Sequence, residues 1–225
     1  MGPVDPVDPN YATAPGAGQH FAANLWPKRP AAIRPVFTGY YRAMSELAQV
    51  MMRLFALELG LEESFFDAKI DRPISRLRLR HYPAQLMPPL PGQLRAGAHS
   101  DYGSLTILVT EDRPGGLQVH NAAGEWVDVP VVSNCFIINL GDLMARWTNN
   151  AWVSTLHRVV NPPQDSGTES RRLPLVFFHN PNYDAEVKCI PTCLKPGETP
   201  QYPATTSGEH LRRQFVATQM PAAPQ

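Results

Sequence analysis

The chain has 225 residues, enough for one domain with a sizeable core and too few for two ordinary enzyme domains. Its 20 lysines and arginines balance 20 aspartates and glutamates, and this zero net charge disfavours nucleic acid or an anionic membrane as a partner. A hydrophobic content of 43% excludes a disordered chain, and 24 prolines exclude a fold dominated by long helices. The three cysteines, without an export signal or lipidation motif, favour a reducing, cytoplasmic location.

Two regions of different character follow one another at the start of the chain. Residues 1–34 are rich in Pro, Ala, Gly and Asn and show no periodicity, which predicts a loosely ordered arm ahead of a domain at 35–225. From residue 35 to 60 apolar residues recur every three or four positions, and Gly60 is a natural C-terminal stop. This pattern predicts one long amphipathic helix whose Met and aromatic stripe packs against a core.

After residue 73 the pattern changes to short apolar or alternating runs separated by Gly, Pro and Asn. Eight strands are predicted, at residues 76–82, 94–99, 104–110, 116–120, 126–129, 135–140, 156–160 and 173–179. Only residues 141–147 and 207–215 interrupt them as short helical segments. The fold class is therefore mainly β, an antiparallel jelly roll with a long N-terminal helix and a short C-terminal helix.

The candidate chemistry lies at His99 and Asp101. Residues two apart on an extended segment point to the same face, so an imidazole and a carboxylate can converge on one ion there. A His-x-Asp pair alone is weak evidence. His157, inside another predicted strand, strengthens it, because two histidines and one carboxylate form the set that holds iron(II) with open positions.

Several further segments occur in a recognisable order around these residues. Residues 98–108, 115–119, 124–126, 139–142, 147–149 and 154–162 resemble the 2-oxoglutarate/Fe(II)-dependent dioxygenases of the isopenicillin N synthase-like family. The resemblance implies a double-stranded β-helix, a jelly-roll variant, with His99, Asp101 and His157 as ligands of the catalytic iron.

The same resemblance implies roles for three other side chains. Arg172 matches the arginine that binds the distal carboxylate of 2-oxoglutarate, and Tyr82 matches a tyrosine that donates to that carboxylate. Phe178 lies where relatives place an aromatic side chain against the substrate. A planar guanidinium suits the first role because it can give a carboxylate two parallel hydrogen bonds.

The implied function is oxidation of a small organic molecule by hydroxylation, desaturation or ring closure. Iron(II), 2-oxoglutarate and O2 would be required, and succinate and CO2 would be released. One alternative is a catalytically silent member that binds or stabilises a full-length oxygenase. Another is an oxidase of the isopenicillin N synthase type that needs no 2-oxoglutarate. The presence of all three ligands and Arg172 favours the first hypothesis.

Two features depart from the family pattern. The chain begins nearly where the relatives' additional N-terminal segment ends, from which we expect a homodimer or association with a longer homologue. Pro174 stands where relatives have a serine, so one hydroxyl donor to 2-oxoglutarate is lost.

Other polar residues receive structural interpretations. Arg76, Arg78 and Arg80 alternate along one predicted strand, and a solvated sheet face is preferred to a substrate contact. His20 and His210 lie in polar terminal surroundings and are expected to be solvated, and the strand histidine His179 is expected to belong to the scaffold.

Overall fold

The structure, a computed structural model, describes residues 1–112, 115–162 and 170–219. Its α-helices are α1 Pro9–Thr13, α2 Ile33–Glu58, α3 Asp142–Trp147 and α4 Ser207–Gln219. Its strands are β1 Arg76–Leu79, β2 Ala96–His99, β3 Leu105–Val109, β4 Leu117–His120, β5 Trp126–Asp128, β6 Ile137–Leu140, β7 His157–Val159, β8 Leu175–His179, β9 Glu186–Val187 and β10 Thr205–Thr206. None of the helices in these ranges is long and apolar enough to span a membrane.

The strands form two four-stranded sheets and one small ladder. The main sheet has the order β1-β8-β3-β6, the second sheet has the order β2-β7-β4-β5, and β9 pairs with β10. Every pairing is antiparallel in the described ranges. The predicted mainly-β jelly roll is confirmed. The eight predicted strands correspond to β1–β8, whereas α1, β9 and β10 are too short to show a periodicity and were not predicted.

The outward face of the main sheet packs against α2. Leu77, Phe177 and Ile107 are opposite one another in register and are all at most 2% exposed. The ring of Tyr41 on α2 meets that of Phe177 edge-on at a centroid distance of 5.2 Å. A cluster of buried hydrophobic residues includes α2 and this face, whereas the space between the two sheets contains a cavity.

The first 34 residues contain α1 and contact the main sheet. The Arg76 guanidinium on β1 donates to the carbonyl oxygens of Gln19 and His20. His20 is 3% exposed and His210 on α4 is 8% exposed, so the expectation that these two histidines are solvated is wrong. Segments distant in sequence bury both, with Arg76 and Gly208 near His20 and Asp142 near His210. The domain boundary at residue 34 stays a prediction.

Candidate metal site

Two paired strands bring the predicted metal ligands together. His99 ends β2, His157 begins β7, and the two residues are opposite each other in the antiparallel register. Ligand atoms of His99, Asp101 and His157 all lie within 4.8 Å of one another. The Nδ1 atoms of the two histidines lie 2.8 Å from Gly97 O and 3.0 Å from Thr155 O. A carbonyl can only accept, so each Nδ1 carries the proton and each Nε2 offers a lone pair.

Two polar side chains orient the carboxylate of Asp101, which is 6% exposed. Its Oδ2 accepts hydrogen bonds from the hydroxyl of Thr106 at 2.6 Å and from the amide nitrogen of Asn139 at 2.7 Å. Its Oδ1 lies 3.9 Å from Nε2 of His157. The two donors therefore occupy one oxygen and leave the other directed at the histidine cluster.

The loop that carries Asp101 is held by the junction of β6 and α3. The backbone N–H groups of Asp142 and Leu143 donate to the carbonyls of Asp101 at 2.7 Å and Gly103 at 3.0 Å. The two backbone segments approach each other so closely that a Cβ added to Gly141 would lie 2.3 Å from the Gly103 carbonyl oxygen. Glycine at 141 is therefore needed for this contact, and the contact fixes the Asp101 backbone.

A cavity of about 490 Å³ lies between the two sheets and reaches the cluster. Arg172, Tyr82 and Pro174 line it together with the three candidate ligands. Tyr82 and Arg172 form an isolated antiparallel bridge, with Tyr82 N to Arg172 O at 2.9 Å and Arg172 N to Tyr82 O at 3.0 Å. Arg172 is only 7% exposed, so its charge faces a largely enclosed space.

The donor set fits iron(II). Two neutral imidazole nitrogens and one carboxylate oxygen form the combination typical of non-haem iron(II) sites with open positions. Each donor also has the supporting hydrogen bond that metal ligands usually have: Nδ1 to a carbonyl for the histidines, and two donors to Oδ2 for Asp101.

Comparison with known proteins agrees with this geometry. The family model of the 2OG-Fe(II) oxygenase superfamily matches residues 73–181. A 2OG-Fe(II) oxygenase family protein of Caulobacter crescentus has 31% identity and a TM-score of 0.85, with 97% of this chain and 68% of that chain covered. The chain belongs to the 2OG-Fe(II) oxygenase superfamily. This confirms the predicted family and its cofactors, iron(II) and 2-oxoglutarate, with O2 as co-substrate.

Two other similar proteins show how much of the fold is shared. A Neurospora crassa protein whose crystal structure contains alpha-KG and thymine is 32% identical, with a TM-score of 0.84 and with 97% of this chain and 63% of that chain covered. The 2-oxoglutarate-Fe(II) type oxidoreductase hxnY of Emericella nidulans is 40% identical over 194 residues, which are 84% of this chain and 54% of the relative. The chain spans about half the length of the curated relatives it matches first, 54% and 49%.

Three residues that contact the candidate site residues Asp101 and Tyr82 were not predicted from the sequence. Thr106 and Asn139 contact Asp101, and they are opposite each other on β3 and β6. Arg95 lies with its guanidinium 5.7 Å from the Tyr82 ring centroid and donates to Ser170 O at 2.7 Å. Burial, and then the charge of Arg172, lower the pKa of Arg95. Alternation along β3 predicts the sheet face on which Thr106 lies. Only the pairing register of the strands shows which side chains Thr106 contacts there.

Phe178 lies on β8 of the main sheet and Pro174 directly precedes that strand, and both line the cavity. Phe178 is half-buried on a wall shared by this cavity and a smaller one beside His99. Pro174 is buried immediately before β8, and its carbonyl accepts a hydrogen bond from Arg80 N at 2.9 Å. Because Pro174 precedes the first residue of β8, its lack of an N–H removes no hydrogen bond within that strand.

Arg78 and Arg80 are exposed, as expected for a solvated arginine face, and Arg76 is half-buried. Arg76, Arg78 and Arg80 all line the smaller cavity, which has a volume of about 170 Å³. Residues of the loop after His99 and of α4, which are distant in sequence, line the same cavity, so alternation along β1 could not reveal it.

Proposed function

We propose that this chain carries out Fe(II)- and 2-oxoglutarate-dependent oxidation of a small organic molecule. The observation that supports it most is that one cavity contains the cluster of His99, Asp101 and His157 together with the buried side chain of Arg172. For a hydroxylation the balance is substrate C–H plus 2-oxoglutarate plus O2, giving substrate C–OH, succinate and CO2. Desaturation and ring closure would use the same residues.

Each residue of the cluster has a defined role in this proposal. His99 and His157 would donate Nε2 and Asp101 would donate Oδ1 to the iron, because their other polar atoms are engaged with protein groups. When bound, iron(II) supplies the activation of O2 that is coupled to decarboxylation of 2-oxoglutarate. Thr106 and Asn139 keep the carboxylate from rotating.

Arg172 would anchor the distal carboxylate of 2-oxoglutarate. Its charge is permanent and largely buried, and a guanidinium can bind a carboxylate through two parallel hydrogen bonds. Tyr82 is fixed beside it by the two backbone hydrogen bonds between these residues, which supports its proposed role as a second donor.

Many of the other residues that line the large cavity are apolar, and they come from both sheets. Leu108 and Val176 belong to the main sheet, and Leu117, Val119 and Val159 belong to the second. Such walls exclude water, which strengthens the attraction between Arg172 and an anion and protects reactive species from side reactions.

Anaerobic titration of the purified chain with iron(II) and then 2-oxoglutarate tests this function. We expect one iron per chain and a visible charge-transfer band once 2-oxoglutarate is added. His99→Ala should lose the iron. Arg172→Gln should keep the iron and bind 2-oxoglutarate at least about a hundredfold more weakly, because a buried charged hydrogen-bonding partner is removed. If His99→Ala binds iron as tightly as the parent chain, the ligand assignment is wrong.

Oxygen uptake separates this function from the two alternatives. An oxidase of the isopenicillin N synthase type would consume O2 with its substrate in the absence of 2-oxoglutarate. A silent binding subunit would release no succinate under any condition. The proposed function requires O2 uptake that depends on 2-oxoglutarate and matches succinate release.

A further inference from the structure

The smaller cavity lies beside the metal cluster and has one strongly basic wall. Arg76, Arg78 and Arg80 project from β1 to the same side, because residues two apart on a strand share a face. Arg80, His99, Asp101 and Phe178 line both cavities, whereas Arg172 and Tyr82 line only the larger one. A molecule in the smaller cavity would therefore touch the cluster without occupying the space next to Arg172.

Other residues that line the smaller cavity are apolar or aromatic. Tyr102 lies in the loop after His99, and its ring meets that of Phe215 on α4 at a centroid distance of 5.9 Å. Leu211 on α4 also lines the cavity, and Phe178 on β8 lies beside the arginines, because it is opposite Arg76 in the register of β1 and β8. The cavity thus combines a cationic wall with hydrophobic side chains around a space for a small molecule.

The positive charges on the basic wall lack a protein counter-ion. Among the described residues, neither Arg78 nor Arg80 has a carboxylate within salt-bridge distance. The only carboxylate lining this cavity in the described ranges is Asp101, which belongs to the metal cluster and already accepts two hydrogen bonds. Arg76 differs, because the carbonyls of Gln19 and His20 occupy its guanidinium.

The surroundings of Arg78 make an incoming anion favourable. Arg78 is exposed to solvent on one side, and partial burial together with the neighbouring charge of Arg80 lowers its pKa. Its guanidinium lies 5.6 Å from the Phe178 ring centroid, which holds it toward the cavity. A carboxylate would neutralise this charge and could accept two parallel hydrogen bonds.

We propose that the smaller cavity binds the primary substrate, and that this substrate is a small carboxylic acid with an apolar or aromatic body. Arg78 and Arg80 bind the carboxylate, and the rings of Tyr102, Phe178 and Phe215 contact the body. This places a carbon of the substrate beside His99 and Asp101. The inference rests on the proposed function for its chemistry, but the binding site can be tested without it.

Matched pairs of acids and amides test the proposal directly. Calorimetric titrations would use the chain loaded with iron(II) and saturating 2-oxoglutarate under nitrogen, and the chain without either. The probes are acetate, benzoate and 3-phenylpropanoate, each with its primary amide, and phenyl phosphate as a different anion. We expect at least one acid to bind about tenfold or more tightly than its amide, with the aromatic acids tighter than acetate.

Substitutions assign the binding to the basic wall. Arg78→Gln should abolish the preference for acid over amide and leave amide affinity unchanged, and Arg80→Gln provides a second test in case either variant misfolds. Arg34→Gln is the matched control, because Arg34 is exposed near the start of α2 and the substitution removes the same charge. It should leave all affinities unchanged.

The outcomes separate the two proposals. Failure of the chain to bind 2-oxoglutarate with iron(II) contradicts the proposed function alone. Equal affinity for acids and amides, no binding of any acid, or a preference that survives both Arg78→Gln and Arg80→Gln overturns the carboxylate site. Phenyl phosphate binding about tenfold more tightly than benzoate would also overturn it, because the ligand class would then be a phosphate.

Discussion

The amide nitrogen of Asn139 donates to Oδ2 of Asp101 at 2.7 Å, on the same oxygen that accepts from Thr106 at 2.6 Å. Both donors lie on the main sheet, whereas His99 and His157 belong to the second sheet. The carboxylate thus connects the two sheets at the metal cluster, and its orientation depends on two residues that are not candidate metal ligands themselves.

Removal of one of these donors should weaken metal binding without loss of the fold. Thr106→Val keeps the shape of the side chain and removes its hydroxyl, so Asp101 becomes freer to rotate. We expect iron(II) affinity to fall by about tenfold to a hundredfold, the usual effect of losing a partner of a metal ligand. Competition with a chelator measures it. Thr110→Val, the same change just beyond the end of β3, is the control, and an equal loss there would contradict the assigned role.

Substitution of Pro174 should strengthen 2-oxoglutarate binding. Pro174→Ser restores a hydroxyl in a cavity that also contains Arg172, and a hydrogen bond to a charged group contributes about 1.5–3 kcal/mol. The apparent KM for 2-oxoglutarate should fall by about tenfold to a hundredfold, with iron affinity unchanged. The exposed Pro196→Ser serves as control. An unchanged KM would mean that another donor, with Tyr82 the first candidate, already fills this role.

Gly141→Ala should strongly destabilise the protein. The new Cβ would lie 2.3 Å from the Gly103 carbonyl oxygen and 2.9 Å from that of Asp101, so the loop that carries the metal ligand must move. We expect a loss of at least about 2 kcal/mol in the free energy of unfolding, measured in urea, together with weaker iron binding.

Gly39→Ala is the matched control for that change. Gly39 lies within α2, and a Cβ there would meet nothing within 4 Å. Alanine has the higher helix propensity, so stability should rise by about 0.5–1 kcal/mol. If both variants behave alike, the close approach at Gly141 does not constrain the loop.

His179 should make the protein less stable in weak acid. It is 2% exposed beside the Ser104 hydroxyl, and burial lowers its pKa to about 4 from the ordinary 6.5. As the pH falls below the ordinary value, the unfolded chain takes up a proton that the folded protein does not, so stability is lost between about pH 6.5 and pH 4. Below pH 4 this histidine causes no further loss.

Comparison of the parent chain with His179→Gln isolates this contribution. His20 and His210 also have their pKa values lowered to about 4. Both residues are present in the parent and in the variant, so their contributions to the stability difference cancel. Between about pH 7 and pH 5 the parent should lose about 2 kcal/mol more than the variant in urea unfolding. Equal losses in the two proteins would show that His179 becomes protonated in the folded state.

Much of this architecture follows from the sequence because its signals are local. Short alternating or continuously apolar runs between Gly, Pro and Asn identified the eight strands of the two large sheets, and a period of three to four residues identified α2. His99 and Asp101 are two residues apart, so their convergence on one face needed no knowledge of the fold. His157 followed from its place in another predicted strand, and the family motifs supplied Arg172 and Tyr82; the structure places all three around one cavity.

The contacts of those residues across the fold were decided by the tertiary structure. Alternation assigns a side chain to a face, but register and the closing of two sheets determine what that face meets. Thr106 and Asn139 reach Asp101 because β3 pairs with β6 beneath the second sheet, and Tyr82 meets Arg172 across 90 residues of chain. The arginines of β1 line one cavity together with Leu211 and Phe215 of α4, a long-range arrangement that no periodicity in the sequence reveals.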